Sequence, residues 1–430
     1  MRVLEFNDAA LTLADADRIH ATSPGFAFLD GRKLVFGEAA RQQFRAQPRK
    51  TQFRYWYQLD QAPLDSAFGD ARNHADLAWA QLSGIQANGG DGALLLAVPA
   101  SFDSGQLGLL LALARAAKLD AVGLVDAAVA AASTVDAKAT MLHLDVQLHR
   151  WWLTRMRAGS DIARTGGEDL AKPGLLAVWD ACAGVIAEAF VRQTRFDPLH
   201  SAATEQALYE RLPNWLAQFG RGAAVTLELP AGLRSHRASL PADALNGALA
   251  AISSRIAAGI AAAVTDAAQT AVLLSARAAA VPGLIEAIHA ACGVRPQALD
   301  AQAVTRGTLA HAERIRADGE ALPFVTRLPA SGPLIAAAAV VVDTAKPAPP
   351  PTHLLVDDLA SPLPSKTVDG EARLLGLKLR VESGRHLLVP EGALRIDGRV
   401  TTEPTRLSTG QLIETASGAV RVIHVLGPPA

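Results

Sequence analysis

The residues of this chain best placed to do chemistry by type and spacing are His143, Asp145 and His149. On a strand, His143 and Asp145 share a face, and two histidines with a carboxylate can bind a metal. The plainer reading, preferred here, makes one histidine a partly buried core residue, the other a turn residue, and Asp145 a turn cap. Ser101 and Ser104 lie beside Asp103 but have no histidine in local register, so a hydrolase triad is unsupported. There is no Gly-x-Ser-x-Gly elbow, Cys-x-x-Cys pair, His-Glu-x-x-His helix or Walker-type loop. Arg41, Arg45, Arg49 and Lys50 read as a mild, solvated basic face. Phe53, Tyr55, Trp56 and Tyr57 form either an exposed contact cluster for a protein partner or the core of a small subdomain. Trp151 and Trp152, on a strand, point to opposite faces.

The elements that must hold these residues follow from apolar periodicity. Leu94–Val98 and Ala121–Val125 read as buried parallel strands. A helix over Gln106–Lys118 crosses between them, and a small-residue helix over Ala127–Ser133 follows. Arg2–Phe6 and Ala9–Leu13 are predicted to pair about a turn at Asn7–Asp8, and Ser23–Leu29 with Lys33–Phe36 about Asp30–Gly31. Glu38 to Pro48 is helical, and Asp76–Ser83 is a helix stopped by Gly84. Met141–Gln147 and Trp151–Arg157 form a further hairpin, with a turn at Thr165–Asp169. Helices are expected over Pro173–Gln193 and over Thr204–Phe219, where Pro213 is the predicted kink. Ala223–Leu229 is a strand, and Asp243–Thr265 a long helix with Ile252, Ile256 and Ile260 on one face. Thr270–Ser275 is a buried strand, and Gly283–Cys292 and Asp300–Ile315 are helices.

At 430 residues, with half of them apolar, the chain is long enough for two or three domains with large cores. A net charge near −1 gives no electrostatic case for nucleic acid or an anionic membrane. Two cysteines, Cys182 and Cys292, suit a reducing compartment and are expected to be free. The N-terminus carries Glu5, Asn7 and Asp8 where a signal peptide needs an apolar core. The longest apolar run, Leu334–Val342, is too short to span a bilayer. A soluble, cytoplasmic protein is the expectation. KPAPPP, containing Pro347–Pro351, is a semi-rigid linker. Beyond it His353–Gly427 alternates as a small all-β domain.

VPASF (Val98–Phe102) and VDAAVAAAS (Val125–Ser133) carry a resemblance to the heat-shock chaperone ATPases of the actin-like superfamily. Further matches in order extend it over roughly the first 310 residues. They include the Gly–x–Ala–Ala helix at Gly37, Gly166–Gly167 in TGGED, and Gly307 in AVTRGTLAHA. The resemblance implies an α/β fold of two ribonuclease H-like lobes, 1–140 and 141–345, the second with a helical subdomain. A linker (346–352) and a β-domain (353–430) would follow. That β-domain is faintly similar in its last strands to forkhead-associated domains, and by its place after a linker to the chaperones' substrate-binding domain.

In that family two glycine-rich hairpin turns cradle the phosphates with backbone N–H groups, and each carries an aspartate that orients Mg²⁺ through water. The first turn falls here on Asn7, Asp8, Ala9, Ala10 and Leu11, where an amide replaces the acid and no glycine remains. The second falls on Asp145, Val146, Gln147, Leu148, His149 and Arg150, which keeps the acid and loses three glycines. The adenosine-side glycine pair falls on Ala276 and Arg277, and the phosphate-side lysine near Trp56, with no lysine in Thr51–Trp79. The resemblance therefore implies a degenerate ATPase without catalytic residues, cofactor or metal, acting as a protein-binding or scaffolding module with an unidentified protein partner. The alternative is an ATP-binding chaperone-like ATPase with atypical phosphate loops, using Asp8 and Asp145 for Mg-ATP.

Overall fold

The computed structural model describes residues 1–89, 92–220, 224–232, 234–317, 322–330, 351–356, 359–364, 371–382, 385–392, 394–396, 399–409, 411–415 and 418–423. It is a mixed α/β structure that divides into two compact units, Met1–Ile335 and Ala336–Ala430. The apolar run Leu334–Val342 and all but the last residue of Pro347–Pro351 lie outside the described residues.

The first unit is built on two six-stranded sheets. The first contains β1 (Arg2–Glu5), β2 (Leu11–Ala14), β3 (Ile19–Ser23), β4 (Leu94–Val98) and β5 (Ala121–Asp126), in the order β5-β4-β1-β2-β3, with Phe324–Val325 beyond β5. β1, β2 and β3 are antiparallel, whereas β1, β4 and β5 are parallel. The second contains β6 (Thr140–Val146), β7 (Trp151–Ala158), β8 (Asp161–Ala171), β9 (Thr270–Leu274) and β10 (Gln297–Ala298), in the order β10-β9-β6-β7-β8, with Arg327–Pro329 beyond β8. Here β6, β7 and β8 are antiparallel, and β6, β9 and β10 parallel. Over the five labelled strands the two sheets have one order and one set of senses; the sixth strand lies at opposite edges, beyond β5 in the first and beyond β8 in the second.

Alternation along the central strands sorts the core into layers. Leu4, Phe6, Leu94, Leu96 and Val98 pack outward against α1 (His74–Gly89) and α2 (Ser104–Ala116). Val3, Leu95 and Ala97 face the other way and meet Met141 and Leu273 of the second sheet. Between the sheets run α3 (Ala127–Ala132) and α8 (Ala303–Ala310), while α4 (Leu175–Thr194), α5 (Ala202–Phe219), α6 (Asn246–Ala263) and α7 (Leu284–Cys292) contribute to the core on the outer face of the second. The α3–α8 crossing is close: a Cβ on Gly307 would lie 1.8 Å from the Ala130 carbonyl oxygen. Asp126 caps α3 through the Ala128 and Val129 N–H groups and accepts from Arg164 Nη1 at 2.8 Å.

Several elements differ from expectation. TGGED is not a turn; it lies inside β8, where Gly167 leaves room for the Trp152 indole, within 2.9 Å of where a Cβ would sit. α1 runs through exposed Gly84, whose Cβ position has open space, so only helix propensity opposes continuation. α5 runs through Pro213, and the Tyr209 carbonyl that proline cannot satisfy accepts instead from Arg41 Nη1 at 3.3 Å. The Asp300–Ile315 stretch is broken into α8 and a turn of helix at Ala312–Ile315. Among the strands not anticipated are β3, Arg234–Leu240, which pairs with Val225–Ala231, and Pro63–Phe68 and Ala71–Asn73, which pair with each other.

Among its described residues the second unit is all β. A six-stranded sheet includes His353–Val356, Leu412–Thr415 and Gly418–Ile423, and a four-stranded one Glu371–Leu374, Leu377–Glu382 and Arg385–Val389. Leu354, Leu379, Leu388, Ile413 and Val422 form its core.

Candidate functional site

β1 of the first sheet and β6 of the second each run into a hairpin turn, and the two turns meet. In the first turn, Asn7 folds the chain on itself: its carbonyl accepts from the Ala10 N–H at 2.9 Å and its Oδ1 from the Ala9 N–H at 2.8 Å. The Asp8 carbonyl accepts from the Gly25 N–H at 2.7 Å; a Cβ on Gly25 would lie 2.9 Å from that oxygen. In the second turn the Gln147 N–H donates to the Arg150 carbonyl at 2.9 Å. The start of α4 holds this turn from below. Leu175 N–H donates to the Gln147 carbonyl at 2.8 Å and Leu176 N–H to the Leu148 carbonyl at 3.2 Å. Gly174 makes the approach possible, since its Cβ would meet the Gln147 oxygen at 2.2 Å.

The two turns bond directly to one another. Asn7 Nδ2 donates to Asp145 Oδ2 at 2.8 Å and to the Val146 carbonyl at 3.1 Å. The Leu148 N–H donates to Asp8 Oδ1 at 2.7 Å. Gln147 Nε2 donates to Ser101 Oγ at 3.0 Å. The space left among Phe6, Asp8, Trp56, Phe102 and Gln147 is a cavity of about 10 Å³, room for at most one water.

Side chains occupy the rest of the second turn. Leu148 is fully buried in the second sheet's core. His149 stacks on Phe53, with ring centroids 5.7 Å apart, and sits 5.2 Å from Tyr57; one ring nitrogen lies 2.9 Å from the Phe53 carbonyl. Tyr55 and Trp56 are buried and share the Gln81 amide oxygen at 2.6 and 2.7 Å, so this half of the aromatic set is core. Trp151 is fully buried.

Further out, Arg41 and Arg45 correct the expectation of a solvated basic face. Arg41 is buried, ion-paired to Glu38 and near the Trp179 ring. Arg45 pairs with Asp180 and Glu205 and lies over the Tyr209 ring, whose hydroxyl donates to Asp180 Oδ1 at 2.5 Å. The segment after Gly37 is thus fastened to α4 and α5. The groups that take up Arg45 and Arg41 lie 135 and 168 residues further along the chain, at Asp180 and Tyr209, while Arg49 and Lys50 are exposed.

Burial raises the Asp8 carboxyl to about 6, against the Leu148 N–H bond that favours its charge. Burial pushes Asp145 up as well, but Arg277, His143, Ser275 and Asn7 together hold it below the usual carboxylate value. Glu5 is raised by burial, opposed by Arg277. His143 is lowered by burial, so it is neutral near pH 7, and its Nε2 has no partner among the described residues.

Both sequence-predicted ligand residues, Asp8 and Asp145, therefore stand at the same place, on facing turns. Asp145 Oδ2 accepts from Asn7 Nδ2 and Asp8 Oδ1 from the Leu148 N–H, while the buried Asp8 Oδ2 has no partner among the described residues. His143 and Asp145 line one cavity, but His149 is directed to the aromatic pair, so the three do not converge. Among the described residues no group of three or more His, Cys, Asp or Glu side chains is arranged to hold a metal. Cys182 and Cys292 are free thiols. Among the described residues no helix is long and apolar enough to cross a membrane. Neither a scan of protein-family models nor a search of curated proteins finds a match to this chain.

Proposed function

We propose that the first unit is an actin-like, heat-shock-chaperone-type pair of lobes that has lost nucleotide chemistry and serves as a protein-binding or scaffolding module in the cytoplasm. The second, all-β unit would offer a further interaction surface. The shared strand order of the two sheets, with a helix pair between them, supports the two-lobe reading alongside the resemblance at Val98–Phe102 and Val125–Ser133.

One observation carries the loss of nucleotide binding. A phosphate cradle needs turn amides free to donate, and the N–H groups of Ala9, Ala10, Gln147 and Leu148 are already engaged within or between the turns. Admitting a phosphate would mean breaking the Asp8–Leu148 and Asn7–Asp145 bonds and displacing buried Leu148. A protein partner, rather than nucleic acid or membrane, fits the near-neutral charge.

The test is thermal unfolding of the full chain with and without millimolar Mg-ATP. A real ATP site raises the midpoint by mass action; no change is expected. A rise of a few degrees would overturn the proposal in favour of an ATP-binding protein with unorthodox loops, Asp8 and Asp145 serving Mg-ATP.

A further inference from the structure

The floor of the cleft holds a side chain that neither turn supplies. Arg277 belongs to the short helix Ala276–Ala279, which follows β9 and is capped by Ser275. One of its terminal nitrogens lies 2.6 Å from Glu5 Oε1 and 3.6 Å from Asp145 Oδ2. Glu5 ends β1 in the first sheet and Asp145 lies in β6 of the second. A single guanidinium therefore spans the two sheets.

Charge demands something at this position. Glu5 and Asp145 face one another from opposite lobes with their solvent largely removed, and two such carboxylates repel unless a cation lies between them. A planar guanidinium suits that task, since it stays charged and can donate to two carboxylates at once. We propose that Arg277 is a tethered cationic occupant of the interlobe cleft, holding the sheets together where an open cleft would need a diffusible cation. This goes beyond the proposed loss of nucleotide binding, because it names a side chain that joins the two sheets. It stands on the Glu5–Arg277–Asp145 geometry whatever the ancestry of the lobes.

The surroundings make the occupant exchangeable. A cavity of about 70 Å³ adjoins the guanidinium, lined by Glu5, His143, Asp145, Ser275 and Arg277 among others. The buried Nε of Arg277 and Nε2 of His143 have no partner among the described residues. Removing the arginine side chain joins its own volume to that space and leaves the carboxylates in place. The truncated protein should then accept a free guanidinium from solution.

The experiment compares wild type with Arg277→Gly in the full chain, using methylguanidinium as the probe. R277G should unfold several degrees below wild type. Millimolar methylguanidinium should restore at least half of that loss, while sodium chloride at equal concentration should not. Calorimetry should show saturable methylguanidinium binding to R277G and none to wild type. An unshifted R277G midpoint, or methylguanidinium acting alike on both proteins or on neither, would overturn the proposal. If R277G does not fold, the comparison of Arg277→Met with the double variant Glu5→Gln/Arg277→Met decides. The double variant should be the more stable; equal loss in both would mean that the arginine is mere packing.

Discussion

The two sheets invite comparison because one strand order carries two differently made turns. The first turn works through side chains: Asn7 Nδ2 and the Asp8 carboxylate reach the second turn. The second answers with backbone at the Leu148 N–H and the Val146 carbonyl and with the Asp145 carboxylate, while Leu148 and His149 turn their side chains into the core and the aromatic pair. A turn that presents amides and a turn that presents a carboxylate complement each other without any third molecule. Two sheets of one strand order can therefore close on each other through a handful of turn residues.

If the scaffold is the shared element and the turns the variable one, damage to the scaffold should cost most. Gly307→Val places a branched side chain where even a Cβ would overlap the Ala130 carbonyl at 1.8 Å. The α3–α8 pair between the sheets would have to separate. We expect a loss of at least about 3 kcal/mol in urea unfolding, or failure to accumulate soluble protein. A G307V protein as stable as wild type would mean that the central helices do not set the spacing of the sheets.

The next effect separates the turns by pH. Folding raises the Asp8 carboxyl from 3.8 to about 6, so between those values the folded state binds more protons than the unfolded one. Stability from this group is full below about pH 4 and is lost as pH rises through 6. At about 1.4 kcal/mol per unit, the loss amounts to up to about 3 kcal/mol. Asp8→Asn keeps an oxygen for the Leu148 N–H and removes the titration. The difference in unfolding free energy between D8N and wild type should therefore grow in favour of D8N from pH 4 to pH 7.5. A pH-independent difference would show that Asp8 does not titrate in this range.

Much of the scaffold was legible in the sequence, since apolar runs such as Leu94–Val98 and Thr270–Leu274 are local signals of buried strands. What was hidden depended on distant partners. Gly166–Gly167 reads as a turn until Trp152, across the strand pair, is seen to need the space. Pro213 reads as a break until Arg41 takes up the Tyr209 carbonyl. At the site, Asp8 and Asp145 were singled out only through the resemblance of their turns to a family's phosphate turns; by position alone Asp145 reads as a turn cap. Arg277 stands out in the sequence only as a residue at the resembled family's glycine pair, because no spacing connects it with Glu5, 272 residues away. Charge complementarity between two sheets leaves no periodic trace.

The smallest expected effect addresses the side chain that joins the turns. Asn7→Asp places an acid in the first turn but removes the Nδ2 donor to Asp145 Oδ2 and to the Val146 carbonyl. At pH 7 it sets a carboxylate against Asp145, which Arg277 and its neighbours hold ionised. The Ala9 N–H bond to the side chain survives, since an oxygen remains at Oδ1. We expect N7D to lose about 2 kcal/mol near neutrality. The new carboxyl should be raised by the neighbouring charge, so its protonated form can again donate to Asp145. The deficit should therefore shrink as pH falls through its folded pKa. A deficit that stayed constant with pH would place its origin in packing alone, and the second turn would then owe nothing to the charge of the first.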